Sequence, residues 1–198
     1  MSFKRDIRLL KLLPRDINAK LKWIPACQII HTGLDSHPEF VALSYVWGDA
    51  KDSRVILVEK HRVRVTKNLY EAMMALRPLK EPILIWIDAL CINQADEEEK
   101  SWQVGLMAEI YRHAFQTHAW LGPADESSDS VMDYLNALGA KAEACCMDDH
   151  LFPVASMKSL FTRPWWGRVW VLQEITVPKN AEFVCGTKKI TRSRCSVA

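Results

Sequence analysis

Most of the short motifs that mark a catalytic or phosphate-binding site are missing from this chain. It has only 7 glycines in 198 residues, and it lacks both a Gly-rich phosphate loop and the glycine fingerprint of dinucleotide-binding α/β proteins. There is no GxSxG nucleophile motif and no HExxH zinc motif. The six histidines show no metal-ligand spacing. A site of the familiar serine-hydrolase, P-loop or zinc-peptidase type is therefore excluded.

Charge imbalance and long apolar runs are also missing. A net charge of +2 gives no electrostatic signal for nucleic acid or for an anionic membrane. No apolar run reaches the roughly 18 residues that a membrane span needs. The N-terminal segment MSFKRDIRLLKLLP is interrupted by Lys11 and is not followed by a small-residue cleavage site, so we interpret it as a structural element. We expect a cytoplasmic protein that binds neither nucleic acid nor membrane.

The six cysteines form no CxxC pair, which excludes zinc-ribbon and zinc-finger spacings. Reduced thiols are expected when no export signal is present. Cys145, Cys146 and His150 are three candidate ligands in one irregular stretch, which we interpret as a plain loop. We therefore predict no metal site.

The composition indicates one ordinary globular domain, with 49% hydrophobic and 25% charged residues. We divide the chain into N-terminal strands and turns (1–39), an α/β core with a terminal hairpin (40–190) and a tail (191–198). Tryptophan is unusually abundant, with eight residues. Such residues either fill a core or line a pocket for a flat or sugar-bearing ligand.

The pattern of apolar segments predicts an α/β fold, with a mainly parallel sheet flanked by helices and decorated by β-hairpins. Buried strands are expected over 40–47, 83–87 and 117–122, and hairpins around 59–61 and near the C-terminus. Asn68 and Asp96 are expected to cap helices. Further helices are predicted from about Ser127 or Ser130, over 154–162, and from Pro164 through Glu174. We expect a loop over 145–153 and no further element in TRSRCSVA.

Two predicted strands end in polar residues, and ligands of open α/β sheets bind beyond such ends. One end is Trp47-Gly48-Asp49, and the other is Asp88 followed by Asn93 and Gln94. Asp88 needs a partner, because an isolated buried carboxylate is costly. It is either a ligand-binding group, a cap for nearby amides or the partner of an arginine. Asn93 and Gln94 are either ligand contacts or loop scaffolding.

The segment RPWWGRVWVLQE, residues 163–174, carries the second candidate group. On a continuous helix, Glu174 shares a face with Trp170 and with Gly167, which leaves a gap. A carboxylate desolvated there has a raised pKa and is a candidate catalytic residue. The alternative is an ion pair between Glu174 and Arg163 or Arg168.

Several of these segments together resemble the fungal heterokaryon incompatibility (HET) domain. The resemblance covers nearly the whole chain, in order, and its most specific parts are SYVWGD, WIDALCINQ and RVWVLQE. Lys100 stands where the family commonly has arginine, which keeps the charge but loses bidentate pairing. The family usually has further regions after this domain. The resemblance implies partners among those regions, among other incompatibility proteins, or through self-association.

The HET family is similar in turn to TIR domains, flavodoxin-like modules of innate immunity of which many cleave NAD. In TIR enzymes a W-x-x-x-E pattern carries the catalytic glutamate, and Trp170 and Glu174 match it. The similarity implies that Glu174 is catalytic and that the nucleotide lies near Tyr45, Trp47 and Gly48. Arg163 or Arg168 would then neutralise the pyrophosphate, and Tyr45, Trp47 or Trp166 would stack on a ring.

The resemblance predicts a toxic effector of fungal non-self recognition that causes programmed cell death by hydrolysing NAD at the nicotinamide–ribose bond. NAD is then the substrate, and no cofactor or metal is required. The alternative is a non-enzymatic death-signalling module, because interfaces also favour Trp, Tyr and Arg. A third possibility is a domain that binds a nucleotide without cleaving it.

Overall fold

The structure, a computed structural model, describes residues 5–15, 23–144 and 153–197. Within these residues it is an α/β fold in which helices flank one nine-stranded mixed sheet. The strands are β1 (Asp6–Leu12), β2 (Ala26–Gly33), β3 (Val41–Tyr45), β4 (Ser53–Val58), β5 (His61–Thr66), β6 (Ile83–Trp86), β7 (Gln116–Gly122), β8 (Ala181–Cys185) and β9 (Lys188–Thr191). The helices are α1 (Lys67–Leu76), α2 (Asp88–Cys91), α3 (Glu97–His113), α4 (Ser128–Glu143), α5 (Val154–Phe161), α6 (Val171–Thr176) and α7 (Arg192–Val197).

The centre of the sheet is parallel and its flanks are not. Across the sheet the strand order is β5-β4-β2-β1-β6-β3-β7-β8-β9. Strands β6, β3, β7 and β8 are adjacent in the sheet and parallel to one another. If these four strands are numbered by their order along the chain, their order across the sheet is 2-1-3-4. This is the order of doubly wound sheets of the flavodoxin type, in which ligands bind where the chain switches sides next to the first strand. The carboxyl end of β3 is therefore the expected ligand edge.

The prediction of a mainly parallel sheet is correct only for this centre. Strand β1 pairs antiparallel with β2 and with β6, so the N-terminal strands extend the main sheet instead of decorating it. Leu9 and Leu10, consecutive residues of β1, are both fully buried. Successive side chains of a strand point to opposite faces, so both faces of β1 are covered. The β4–β5 and β8–β9 hairpins occur as predicted.

Two helix N-caps were predicted from the sequence, and the hydrogen bonds of the structure confirm one of them. Asp96 caps α3 as predicted, because its carboxylate accepts the N–H groups of Glu98 and Glu99. The predicted cap of α1, Asn68, is wrong. Thr66 is the cap and accepts the Leu69 N–H. The Asn68 amide instead donates to the Val46 carbonyl at 2.6 Å, and so fastens the chain directly after β3.

The continuous helix predicted from Pro164 through Glu174 is also wrong. A 3₁₀ turn covers Pro164–Gly167, Arg168 is extended with φ −81° and ψ 136°, and α6 begins only at Val171. Helical spacing therefore does not apply between Gly167 and Glu174. The break has a packing cause: Trp165 is completely buried, and the extended backbone at Arg168 lets the guanidinium turn inward toward β3.

The C-terminal tail was predicted to form no element, and this is wrong because α7 packs on α4. Arg194 of α7 donates to Asn136 and pairs with Glu143. The contact depends on a glycine, since a Cβ at Gly139 would lie 2.6 Å from the Arg194 carbonyl oxygen. The residues of α7 are small or charged, so tertiary packing decides its conformation and apolar periodicity gives no signal.

Two glycine-to-alanine changes should therefore have opposite effects on stability. Gly139→Ala should lower the unfolding free energy by about 1–3 kcal/mol, because the added methyl group overpacks the α4–α7 contact. Gly105→Ala is the matched control: this glycine lies in α3 with open space around its Cβ position, so we expect a gain of about 0.5–1 kcal/mol. Urea unfolding measures both, and equal effects would contradict the packing of α7.

Three further sequence predictions concern the loop over 145–153, membrane spans and metal sites. Residues 145–152 of the predicted loop, with Cys145, Cys146 and His150, lie outside the described residues. Over 5–15, 23–144 and 153–197, no helix has both the length and the apolarity to cross a membrane. In the same part of the chain, no three Asp, Glu, His or Cys side chains come together as a metal site.

Candidate functional site

A buried polar cluster joins the end of β3 to the segment around α6. Glu174 is 1% exposed, and its carboxylate accepts two hydrogen bonds from the Arg168 guanidinium, at 2.6 and 2.9 Å. Ser44 of β3 donates to the same carboxylate at 2.5 Å, while the Trp165 indole N–H donates to Ser44 Oγ at 2.8 Å. Of the two arginines that the sequence offered as ion partners of Glu174, Arg168 is the one that pairs with it.

The charge of Arg168 acts on two carboxylates, that of the buried Glu174 and that of the half-buried Asp88. Burial raises the pKa of Glu174, and the nearby Asp88 charge adds to the rise, whereas Arg168 and Ser44 oppose it. Burial also raises the pKa of Asp88, against the hydrogen bond from Trp47 and the charge of Arg168. A single guanidinium therefore stabilises both anions. Removing it would leave the buried Glu174 carboxylate without its ion-pair partner.

A cleft lies beside Arg168. Its volume is about 180 Å³. It is lined by Trp47, Asp88, Ile92, Gln94, Lys100, Val104, Met107, Arg168 and Trp170. Glu174 does not reach this lining. Arg168 thus contacts both the cleft and the glutamate, while the glutamate itself stays outside the cleft lining.

Asp88 is the carboxylate that faces the cleft. Trp47 donates its indole N–H to Asp88 Oδ2 at 2.8 Å, and the Ala89 N–H donates to Oδ1 at 2.7 Å. The side chain of Gln94 donates to the Asp88 carbonyl at 3.0 Å. These bonds fix the carboxylate, and they hold the Trp47 ring upright although that ring is 46% exposed.

A second cavity, of about 210 Å³, shares Trp47 with the cleft. Tyr45 lines it together with α1, β5 and α2 residues, most of them apolar. Burial and the neighbouring Asp88 raise the pKa of Tyr45 well above its ordinary value, so the phenol stays neutral and able to donate. Trp47 is common to both cavities, and the consecutive residues Asp88 and Ala89 line one each.

Two candidate binding residues lie away from these cavities. Arg163 donates to the Leu121 and Pro123 carbonyls at 3.2 and 2.8 Å, and it pairs with Asp125 at 2.5 Å. Its hydrogen bonds hold the loop after β7. Trp166 packs against Trp165 and Phe183, with ring centroids 4.9 and 5.1 Å apart, and belongs to a hydrophobic cluster.

Three further candidates form the loops around the cleft. Gly48 has φ +78°, which favours glycine, and it turns the chain after Trp47. Asp49 accepts the Lys51 N–H at 2.9 Å, and Asn93 accepts the Ala95 N–H at 3.2 Å. None of the three lines either cavity. Their side-chain and backbone geometry is that of turn residues.

Sequence reasoning did not select Ser44, Trp165 or Lys100 as site residues. Ser44 carried a signal, because it is the only polar side chain within the apolar run 40–47, and such a residue needs a partner when buried. Lys100 lines the cleft and lies 3.3 Å from Glu97. In the sequence, the only feature that set Lys100 apart was that the family commonly has arginine at this position. Nothing in the sequence separates Trp165 from Trp166.

Larger cavities occur elsewhere, but their chemistry is less specific. One of about 460 Å³ lies between β1, β2 and α3, and one of about 490 Å³ lies near His37 and His113. The cleft beside Arg168 is smaller, yet it combines a fixed carboxylate, two cations and two tryptophans at the ligand edge of the sheet.

Comparison with known proteins agrees with the sequence resemblance. A family model described as heterokaryon incompatibility protein (HET) matches residues 40–174. A Neurospora crassa protein, "Heterokaryon incompatibility protein 6, OR allele", is 31% identical over 217 aligned residues, which cover 86% of this chain. The chain spans 32% of the length of that relative. No solved structure gives a significant match.

Proposed function

Because this chain belongs to the heterokaryon incompatibility (HET) family, we propose that it is an effector domain of fungal non-self recognition that hydrolyses NAD at the nicotinamide–ribose bond. The observation that carries the proposal is the double role of Arg168. It holds a fully buried glutamate and also lines the cleft.

A pyrophosphate in the cleft competes with Glu174 for Arg168. Phosphate oxygens accept the same bidentate pair of hydrogen bonds from a guanidinium as a carboxylate does. Lys100, which also lines the cleft, adds a second cation for the anionic ligand. When Arg168 turns to the ligand, Glu174 loses its two hydrogen bonds to the guanidinium. Its carboxylate then faces the cleft together with Ser44. The substrate thus exposes the group that acts on it.

The reaction needs little more than this charge. The bond between ribose C1′ and the pyridinium nitrogen breaks, its electron pair goes to that nitrogen, and neutral nicotinamide leaves. The ribosyl cation resembles that of glycoside cleavage, and the uncovered Glu174 carboxylate stabilises it. Water attacks C1′ and transfers a proton to Asp88, a base whose pKa is raised. The products are nicotinamide, ADP-ribose and one proton.

Two features support the comparison with TIR enzymes. The parallel centre of the sheet has the flavodoxin-type strand order. The W-x-x-x-E pattern starts at Trp170, which lines the cleft. It ends at Glu174, which is buried and does not line the cleft. The catalytic role of Glu174 therefore requires the movement of Arg168.

The test is direct. The purified chain is incubated with NAD, and nicotinamide and ADP-ribose are quantified by chromatography. We expect equimolar release. A second arm uses the same chain fused to a trimeric coiled coil, so that clustering is supplied. No release in either arm would overturn the proposed activity.

An exposed apolar patch favours the second candidate function, a death-signalling interaction module. Val169 and Leu172 are 85% and 71% exposed and flank Trp170. Such patches mark interfaces when they are contiguous. We expect Val169→Asp/Leu172→Asp to reduce self-association in analytical ultracentrifugation. Because neither side chain lines the cleft, nicotinamide release should stay within twofold of that of the unmodified chain. Loss of both properties would tie the patch to catalysis.

A further inference from the structure

We propose that the second cavity, which shares Trp47 with the cleft, is an adenosine subsite, so that the domain acts on pyridine dinucleotides in preference to mononucleotides. This inference rests on the proposed function, and it names the substrate class of the same site. The cleft beside Arg168 would then take the nicotinamide ribose and the pyrophosphate. The bond from the pyrophosphate to the adenosine would pass over the rim formed by Trp47.

Size is the first argument. The two cavities measure about 180 and 210 Å³, and each is smaller than the roughly 300 Å³ at which ordinary small-molecule sites begin. Neither alone suits a dinucleotide. They share Trp47, and Asp88 and Ala89 join them along the chain. One ligand with two flat ends and a charged centre matches this arrangement.

The chemistry of the two cavities is the second argument. The cleft beside Arg168 has a carboxylate and two cations, which suit the ribose hydroxyls and the phosphates. The second cavity has no carboxylate and is walled by Val63, Val65, Leu69 and Leu90. Such walls suit an uncharged flat ring. Arg64 also lines this cavity. Its guanidinium donates to Ser53 at 3.1 Å, and a planar guanidinium is a group that stacks on aromatic rings such as a purine.

The rigidity of Trp47 is the third argument. An exposed tryptophan at a loop start normally has rotational freedom, but this indole is tied to Asp88 by a hydrogen bond of 2.8 Å. The ring is therefore held in place where it contributes to the lining of both cavities. If a ligand occupies both cavities, it must be long enough to pass over the Trp47 ring that they share.

The test measures binding of products and fragments, so it does not depend on turnover. Isothermal titration calorimetry compares ADP-ribose, nicotinamide mononucleotide and NAD. Val63→Trp fills the second cavity. Leu57→Trp is the matched control, because Leu57 is a half-buried residue on the opposite face of the same hairpin and neither it nor its cross-strand partner Arg62 lines the cavity. We expect Val63→Trp to weaken ADP-ribose at least about tenfold, a change of 1.4 kcal/mol, and to leave the mononucleotide within twofold. Leu57→Trp should change neither.

A second variant covers the case in which Val63→Trp does not fold. Ala89→Leu narrows the same cavity from α2 and should give the same selective loss. The inference is overturned if ADP-ribose does not bind the unmodified chain, or if both folded variants bind it unchanged. It is also overturned if they lose the mononucleotide equally. Failure of the proposed hydrolysis would look different: ADP-ribose would bind selectively, but no nicotinamide would be released from NAD.

Discussion

Replacing Arg168 with alanine should lower the unfolding free energy by about 3 kcal/mol, the low end of the range for breaking a buried ion pair. The low end applies because the Arg168 side chain is 20% exposed. The loss arises because Glu174, which is 1% exposed in the unmodified chain, would lose its cation and keep Ser44 as its remaining polar partner. For a domain of this length, the midpoint of thermal unfolding should fall by roughly 6–12 °C.

The matched control removes both charges. Arg168→Met/Glu174→Leu replaces the pair with apolar side chains of similar volume, and such replacements are often close to neutral. We expect the double variant to recover most of the stability lost by Arg168→Ala. Urea unfolding of the three proteins forms the comparison. If the double variant is as unstable as the single one, the loss comes from packing and the uncompensated charge is not its cause.

The pH dependence of the Arg168→Ala variant gives an independent check. Without Arg168, only the Ser44 hydrogen bond opposes the burial that raises the pKa of Glu174, so the folded-state pKa lies above the unfolded value of about 4.3. A carboxyl group shifted in this direction destabilises the fold as pH rises through that interval. The deficit relative to the unmodified chain should therefore be small near pH 4 and grow toward pH 7.

Glu174→Gln should reduce nicotinamide release at least about 1000-fold, as expected when a charge that stabilises the transition state is removed. Glutamine keeps an acceptor for Ser44 and Arg168, so the fold should persist. NAD binding should be retained or strengthened, because Arg168 is released more easily from a neutral amide. Steady-state nicotinamide release and calorimetric binding of NAD separate these two effects.

Glu182→Gln is the control for the loss of a partly buried glutamate elsewhere. Glu182 lies on β8 beside His118 and Lys189 and does not line either cavity around Trp47. It should keep nicotinamide release within twofold. If Glu174→Gln remains active, or if both glutamine variants lose activity equally, Glu174 is not the catalytic carboxylate.

Local patterns predicted the frame of the fold well. The apolar run 40–47 became β3, the alternating residues on either side of Glu59 and Lys60 became the β4–β5 hairpin, and Asp96 capped α3. These elements are decided by burial of nearby side chains and by backbone groups a few residues away. The antiparallel insertion of β1 was missed, since its pairing with β6 joins residues about 70 positions apart and local periodicity carries no information on it.

The sequence predicted several of the residues that line the cleft, but it did not predict which of them contact one another. Trp47, Asp88, Gln94, Arg168 and Trp170 do line one cleft. The choice between Arg163 and Arg168 as the partner of Glu174 depended on a backbone break at Arg168, which in turn depends on burial of Trp165. Only tertiary packing contains that information, and so helical spacing gave the wrong neighbours.

The most direct measurement of the central claim is a crystal structure of the Glu174→Gln variant with intact NAD. The account predicts that the Arg168 guanidinium has left residue 174 and binds the pyrophosphate, with the residue 174 side chain facing ribose C1′ and the adenine lying beyond Trp47. A structure in which Arg168 still covers residue 174 while NAD occupies the cleft, or in which NAD binds elsewhere, would contradict it.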